Sequence, residues 1–184
     1  MYNNPHKTNT DATARATGTP LQKPLAPSRR PREDPTFGPA SQQLLSHLLF
    51  EQLTVEELLQ LDRFSSLNQC TAGDWLYRAN TPASHIYVLV DGTVGLTLFD
   101  ILSKAQVTLS ELVSGEIFGV ASIVGNRCYT SNAMALDDCR VLSIESKPFL
   151  DLLHANPRAG MQFAQGVARV FFDRYMDLRA AYFK

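Results

Sequence analysis

The chain has 184 residues, 45% hydrophobic and 19% charged, with a formal net charge of −1. That length suits one domain plus a tail, and the near-neutral balance argues against unaided nucleic-acid binding. Three cysteines (Cys70, Cys128, Cys139), none in a C-x-x-C pair, fit free thiols in a reducing compartment rather than a disulfide scaffold.

Residues 1–40 are rich in Pro, Thr, Ala and Asn, with almost no large apolar side chains, and are expected to be a disordered tail. They hold six Lys/Arg against three acidic residues, which leaves 11 basic and 15 acidic residues for the body. The run Arg29-Arg30-Pro31-Arg32 is either a solvated linker or a contact for an acidic partner or anionic lipid. The N-terminus lacks the apolar core of a secretion signal. No apolar run approaches the roughly 18–20 residues that cross a bilayer, so no transmembrane segment and a cytoplasmic location are expected.

Two short helices are predicted over 41–62. Leu44, Leu45, Leu48 and Leu49 form an apolar stripe, and Thr54 with Glu57 three residues later is a capping box. From Ser65 to Ile144 the pattern changes to short β-type runs between turn signals. Trp75–Tyr77 follow Ala72-Gly73-Asp74. His85–Val90 end at the hairpin signal Asp91-Gly92. Thr93–Phe99 alternate, with Val94, Leu96 and Leu98 on one side, and Gln106–Leu112 alternate through Val107, Leu109 and Glu111. Further runs occur at Ile117-Phe118, Thr130–Ala135 and Arg140–Ile144. About eight closely spaced strands predict a jelly roll or barrel.

After Pro148 the helical period returns in a short helix closed by Asn156-Pro157, and a long helix follows from about Arg158 to the end. Within it Ala164, Ala168, Phe171, Tyr175, Leu178 and Tyr182 are spaced 4, 3, 4, 3, 4, a coiled-coil seam. The seam either pairs with a second copy or packs on the chain's own roll. Val167, Val170, Phe172, Met176 and Phe183 supply enough further apolar surface for both to happen on different faces.

The stretch from about Leu48 to Lys184 resembles the cyclic-nucleotide-binding domain family, in particular the sensor half of CRP/FNR-type bacterial regulators. The resemblance rests on Gly73 in Ala-Gly-Asp, Gly92 in Val-Asp-Gly-Thr-Val, Gly115 in Ser-Gly-Glu and Gly119 in Ile-Phe-Gly, in this order and flanked by helices. It implies a mainly β fold with flanking helices: a cyclic-nucleotide-binding-type β-roll (a double-stranded β-helix or jelly roll) plus a long C-terminal helix. The implied division is a tail at 1–40, a helical lead-in and roll at 41–156, and a dimerisation or docking helix at 157–184. The family's Gly-Asp after the second strand is Asn80-Thr81 here. Asn tolerates the left-handed conformation, so the turn is expected to survive.

In the resembled family a segment of the form F-G-E-x-x-x-L-x-x-x-x-R-[ST]-A-x-x-x-A cradles the nucleotide. Its short helix offers N–H groups to the phosphate, its Arg neutralises the phosphate and its Glu accepts from the ribose hydroxyl. Phe118 to Ala135 match that length without a gap, but the Glu position is Val120 and the Arg position is Tyr129. A charge-assisted bond to phosphate contributes roughly 1.5–3 kcal/mol, so losing both groups costs several kcal/mol of affinity. The expected degenerate pocket is lined by Gly119, Val120, Ala121, Arg127, Tyr129, Thr130 and Ser131. Tyr129 either fills the phosphate space or leaves it open to an apolar ligand. Arg127 is either a solvated loop charge or a displaced phosphate ligand.

No catalytic or metal motif appears among His6, His47, His85 and His154, so no catalytic residue, metal or cofactor is expected. His47 is expected at a helix surface or boundary. His85 beside Cys70 or Cys128 is the one arrangement for a metal or haem, and three thiols are too few for a four-thiolate cluster. Asp137-Asp138 read as turn formers. The sequence reaches Lys184 inside the long helix, where the resembled regulators continue into a helix-turn-helix, so no direct DNA binding is expected. The expected function is a non-enzymatic regulatory or scaffolding module with a protein partner, homodimeric through the terminal helix. The alternatives are a genuine cyclic-nucleotide receptor, and a CRP/FNR-type transcription regulator lacking or separated from its DNA-binding domain.

Overall fold

The computed structural model describes residues 37–100 and 104–182. Residues 1–36, including the Arg29–Arg32 run, lie outside the described residues, as do 101–103, Phe183 and Lys184.

The described chain opens with helix α1 (Pro39–Leu44), a single 3-10 turn (Leu48–Phe50) and α2 (Val55–Leu61). The ordered lead-in therefore includes residues 37–40, which the sequence had assigned to the tail. The reason is a cap from farther along the chain: the Asp62 carboxylate accepts hydrogen bonds from the N–H groups of Gly38, Ala40 and Ser41 and from the Ser41 hydroxyl. It caps α1 from 21–24 residues away, satisfying donors that a helix start leaves free. The Thr54–Glu57 capping box forms as the spacing predicts.

Eight strands follow: β1 (Ser65–Cys70), β2 (Trp75–Tyr77), β3 (His85–Asp91), β4 (Val94–Asp100), β5 (Ala105–Leu112), β6 (Ile117–Phe118), β7 (Asn132–Ala135) and β8 (Cys139–Glu145). They form two four-stranded antiparallel sheets in the orders β1-β8-β3-β6 and β2-β7-β4-β5. Every turn the glycines predicted is present, with positive φ at Gly73, Gly92, Gly115 and Gly119, and Asn80 takes the left-handed conformation at φ 66°.

The β4–β5 alternation departs from expectation. Val94 and Leu96 are buried, but Leu98 is 37% exposed and Phe99 more so. β7 pairs with β4 only from Val94 to Thr97, so the hairpin beyond is a two-stranded ribbon without a core to cover. In β5 the register slips between the Leu96–Ser110 and Thr97–Thr108 pairs, a bulge that adds Leu109. The slip reverses the facing, so Leu112 is buried and Glu111 exposed.

Helices α3 (Ser146–Ala155) and α4 (Pro157–Tyr182) complete the fold. Two interior regions result. The first lies between the first sheet and the helices, where Phe50, Phe149 and Phe163 meet edge to face or tilted at centroid distances of 5.0–5.8 Å. The second lies between the two sheets and contains Leu89, Val94, Phe118, Tyr77, Tyr129 and Cys139. No helix among the described residues is long and apolar enough to cross a membrane.

Candidate ligand pocket and terminal helix

β6 delivers the chain to Gly119 at φ 68°, and a single 3-10 turn over Val120–Ser122 follows. A Cβ at Gly119 would stand 2.7 Å from Tyr87 Cδ2 and 3.3 Å from Tyr77 Cε1. Glycine is needed there both for the left-handed backbone and because the peptide lies flat on two tyrosine rings.

Tyr129 occupies the middle of this region and is 4% exposed. Its ring stacks on Tyr77 at 3.9 Å between centroids and 14° between planes. Its hydroxyl donates to the His85 carbonyl at 3.0 Å and accepts from the His85 N–H at 3.2 Å. Its backbone is fixed as well, since its N–H donates to Thr81 O and its carbonyl accepts from Asn80 N–H. The ring therefore fills the roll with its one polar atom satisfied. Tyr87 and Phe118 stack beside it at 5.2 Å. Burial pushes the Tyr77 hydroxyl up to about 12, with Ser131 and the Arg174 charge opposing that rise, and burial also raises Tyr87.

The structure brings together Gly119, Ala121, Tyr129 and Ser131 in the roll interior. It does not bring Val120, Arg127 or Thr130 to them. Val120 is buried with the helix-side residues, because the 3-10 turn rotates it away from Ala121. Thr130 is exposed. Arg127 is exposed and lines an outer cleft of about 640 Å³ with Ser84, His85, Asn126, Ser146 and Lys147, so it does not stand in for the missing counter-charge at Tyr129.

His85 and Cys70 lie at opposite ends of β8, paired with Glu145 and Cys139 respectively, so they cannot share a metal. No group of three metal-ligating side chains occurs among the described residues. Of the two expected places, His47 takes the boundary and not the helix surface. It precedes the 3-10 turn, accepts from Leu49 N–H at Nδ1 and bonds Gly115 O through Nε2 at 2.9 Å, and its burial lowers its pKa. Asp137 and Asp138 act in turns, accepting from Thr93 N–H and Ala72 N–H.

On α4 the inward stripe is Ala159, Phe163 and Val167, with Val170 partly buried beside them. The predicted seam is a different stripe. Ala164, Ala168, Phe171 and Tyr175 are exposed, Phe171 at 47% and Tyr175 at 60%, and Leu178 is half-buried. Tyr182 is the last residue of the helix. Ala164, Ala168 and Phe171 also border an apolar groove of about 490 Å³ whose floor includes Ile123, Leu150 and Leu153. A residue without a sequence signature also holds this helix, Arg174. Its Nη2 donates to Ile117 O at 2.7 Å, pinning α4 to the edge strand beside the pocket, and burial lowers its pKa against the raising influence of Glu116. An arginine amid an apolar helix pattern carries no mark of that contact.

Two sheets flanked by a lead-in and a long helix, with a glycine-led turn following β6 of the first sheet, define a β-roll. Residues 67–156 match the family model of the cyclic nucleotide-binding domain. A Geobacter metallireducens protein described as cyclic nucleotide-binding is 26% identical and superposes with a TM-score of 0.63, over 74% of this chain and 98% of that one. The sensor domain of the transcriptional regulator DNR from Pseudomonas aeruginosa, 23% identical over 73% of this chain and 90% of its own, has the same fold with a TM-score of 0.65. An uncharacterised NTE family protein of Mycobacterium bovis is 25% identical over 115 residues, 62% of this chain. That match spans 19% of the relative's length.

Proposed function

We propose that this chain is a non-catalytic regulatory or scaffolding module that acts through protein–protein contacts, its roll no longer adapted to a cyclic nucleotide. The observation that carries this reading is Tyr129. The resembled family holds a phosphate there with a guanidinium. This chain has a buried ring, stacked on Tyr77 and bonded at its hydroxyl to the His85 backbone. A ligand phosphate would have to displace that ring and would not meet Arg127, which is on the outer surface. The Val120 position supplies no acceptor for a ribose hydroxyl and faces the helix-side interior.

The same reading gives residues 157–184 the role of a homodimer or docking helix, supported by the exposed seam at Ala164, Ala168, Phe171 and Tyr175. A face with apolar residues at coiled-coil spacing is better covered than left in water. The reading places the module in the cytoplasm, in keeping with three free thiols.

Isothermal titration with cyclic AMP and cyclic GMP tests the pocket. Binding weaker than about 1 mM is expected, and a Kd of about 10 µM or tighter overturns the proposal in favour of a nucleotide receptor. Sedimentation tests the helix. A Phe171→Asp, Tyr175→Asp chain is expected to remain folded and to sediment as a monomer where the unmodified chain is dimeric.

A further inference from the structure

Cys70 is the last residue of β1, Cys139 is the first of β8, and the two stand directly opposite each other in the antiparallel register. The Glu145 N–H donates to Phe64 O one step beyond the other end of this ladder. Counting along it in twos makes Cys70–Cys139 a hydrogen-bonded pair, for which the Cα atoms are about 5.5 Å apart. That separation lies where disulfides are most often found. Both side chains are on the roll-interior face, and each thiol perturbs the other. Both thiols are free in this structure, Cys139 buried and Cys70 partly exposed.

We infer that Cys70 and Cys139 form a dithiol–disulfide site, which a low-molecular-weight disulfide oxidises to a bridge tying the end of β1 to the start of β8. The more exposed Cys70 reacts first. Its thiolate attacks one sulfur of the oxidant, forming a mixed disulfide and expelling one thiolate. Cys139, deprotonated in turn, attacks the Cys70 sulfur and expels the second. Two protein thiols are oxidised, one small disulfide is reduced to two thiols, and the two protons end on those thiols. Burial and the carboxylates of Asp74, Asp91 and Asp137 hold both thiols above their ordinary range, Cys139 at about 11. High-pKa thiols are slow to attack and poor leaving groups, so the bridge forms slowly and then resists reduction. The closed loop contains β2 to β7, and with them Gly119 and Tyr129.

The test is to equilibrate the full chain with oxidised glutathione, alkylate it under denaturing conditions and map the peptides. One Cys70–Cys139 cross-linked peptide is expected, with Cys128 still alkylated. The thermal midpoint should rise by roughly 5–10 °C over the reduced protein, and Cys128→Ala should behave alike. Cys70→Ala should show no midpoint change on oxidation; if that variant does not fold, the peptide map of the unmodified chain decides alone. Alkylation of both Cys70 and Cys139, glutathione retained on Cys70, or a link through Cys128 overturns the inference.

Discussion

The two interior regions of this molecule are built from different chemistry. On the helix side, the lead-in, α3, α4 and the first sheet share a hydrocarbon cluster centred on Phe50, Phe149 and Phe163, with the hydroxyls of Ser41 and Ser146 buried at its margin and bonded to Asp62 and Ser122. Between the sheets, three tyrosines, two cysteines and small alanines share the space with Leu89, Val94 and Leu112. A hydrocarbon interior needs only shape and volume. A tyrosine interior also needs a partner for each hydroxyl, so it is specified by backbone atoms such as the N–H and carbonyl of His85. The region that corresponds to a ligand site in the family is thus the one whose packing depends on polar detail.

That contrast gives graded expectations. The largest loss should come from Phe163→Ala, which removes a fully buried ring touching both Phe50 and Phe149. Urea unfolding should report a destabilisation of about 3–5 kcal/mol, and a loss below about 1 kcal/mol would mean that α4 does not depend on this triad. Next is Tyr129→Phe, which keeps the stacked ring but strips the His85 N–H and carbonyl of their partner. Stability should fall by about 1–2 kcal/mol. No change would show that the hydroxyl does not organise the roll. Smallest is the effect of His47, which joins the lead-in to the β5–β6 turn. Burial holds its folded-state pKa below the ordinary 6.5, so the unfolded chain takes up the proton first. The contribution of the neutral ring is whole above about pH 6.5 and falls as the pH drops below that, levelling off once the folded ring is also protonated. The unmodified chain should therefore lose more stability between pH 7.5 and 5 than His47→Gln does, and equal losses would remove His47 as the source.

Much of the architecture was legible because it rests on local signals. Gly73, Gly92, Gly115 and Gly119 each mark a positive-φ turn, Asn80 substitutes for a glycine in the same conformation, and Thr54 with Glu57 closes the capping box. The loss of a counter-charge at Tyr129 was also plain from the residue type. Other features depend on partners far along the chain. Nothing near Asp62 marks it as the cap of α1, and nothing near His47 points to Gly115. The exposure of Leu98 follows from where β7 stops, a length set by the opposite strand. Facing within the 3-10 turn separated Val120 from Ala121, which no period of two or 3.6 describes.

Residue types and their spacing settled the order of strands and helices, the turns between them, and the absence of a guanidinium at position 129 and of a carboxylate at position 120. These follow from backbone conformational preference and periodicity, which act over a few residues. Three-dimensional packing settled where the Tyr129 ring and hydroxyl go, which stripe of α4 meets the roll, and that Cys70 stands opposite Cys139. Each of these is a contact between segments tens of residues apart, and such contacts form only once the two sheets and α4 have been brought together.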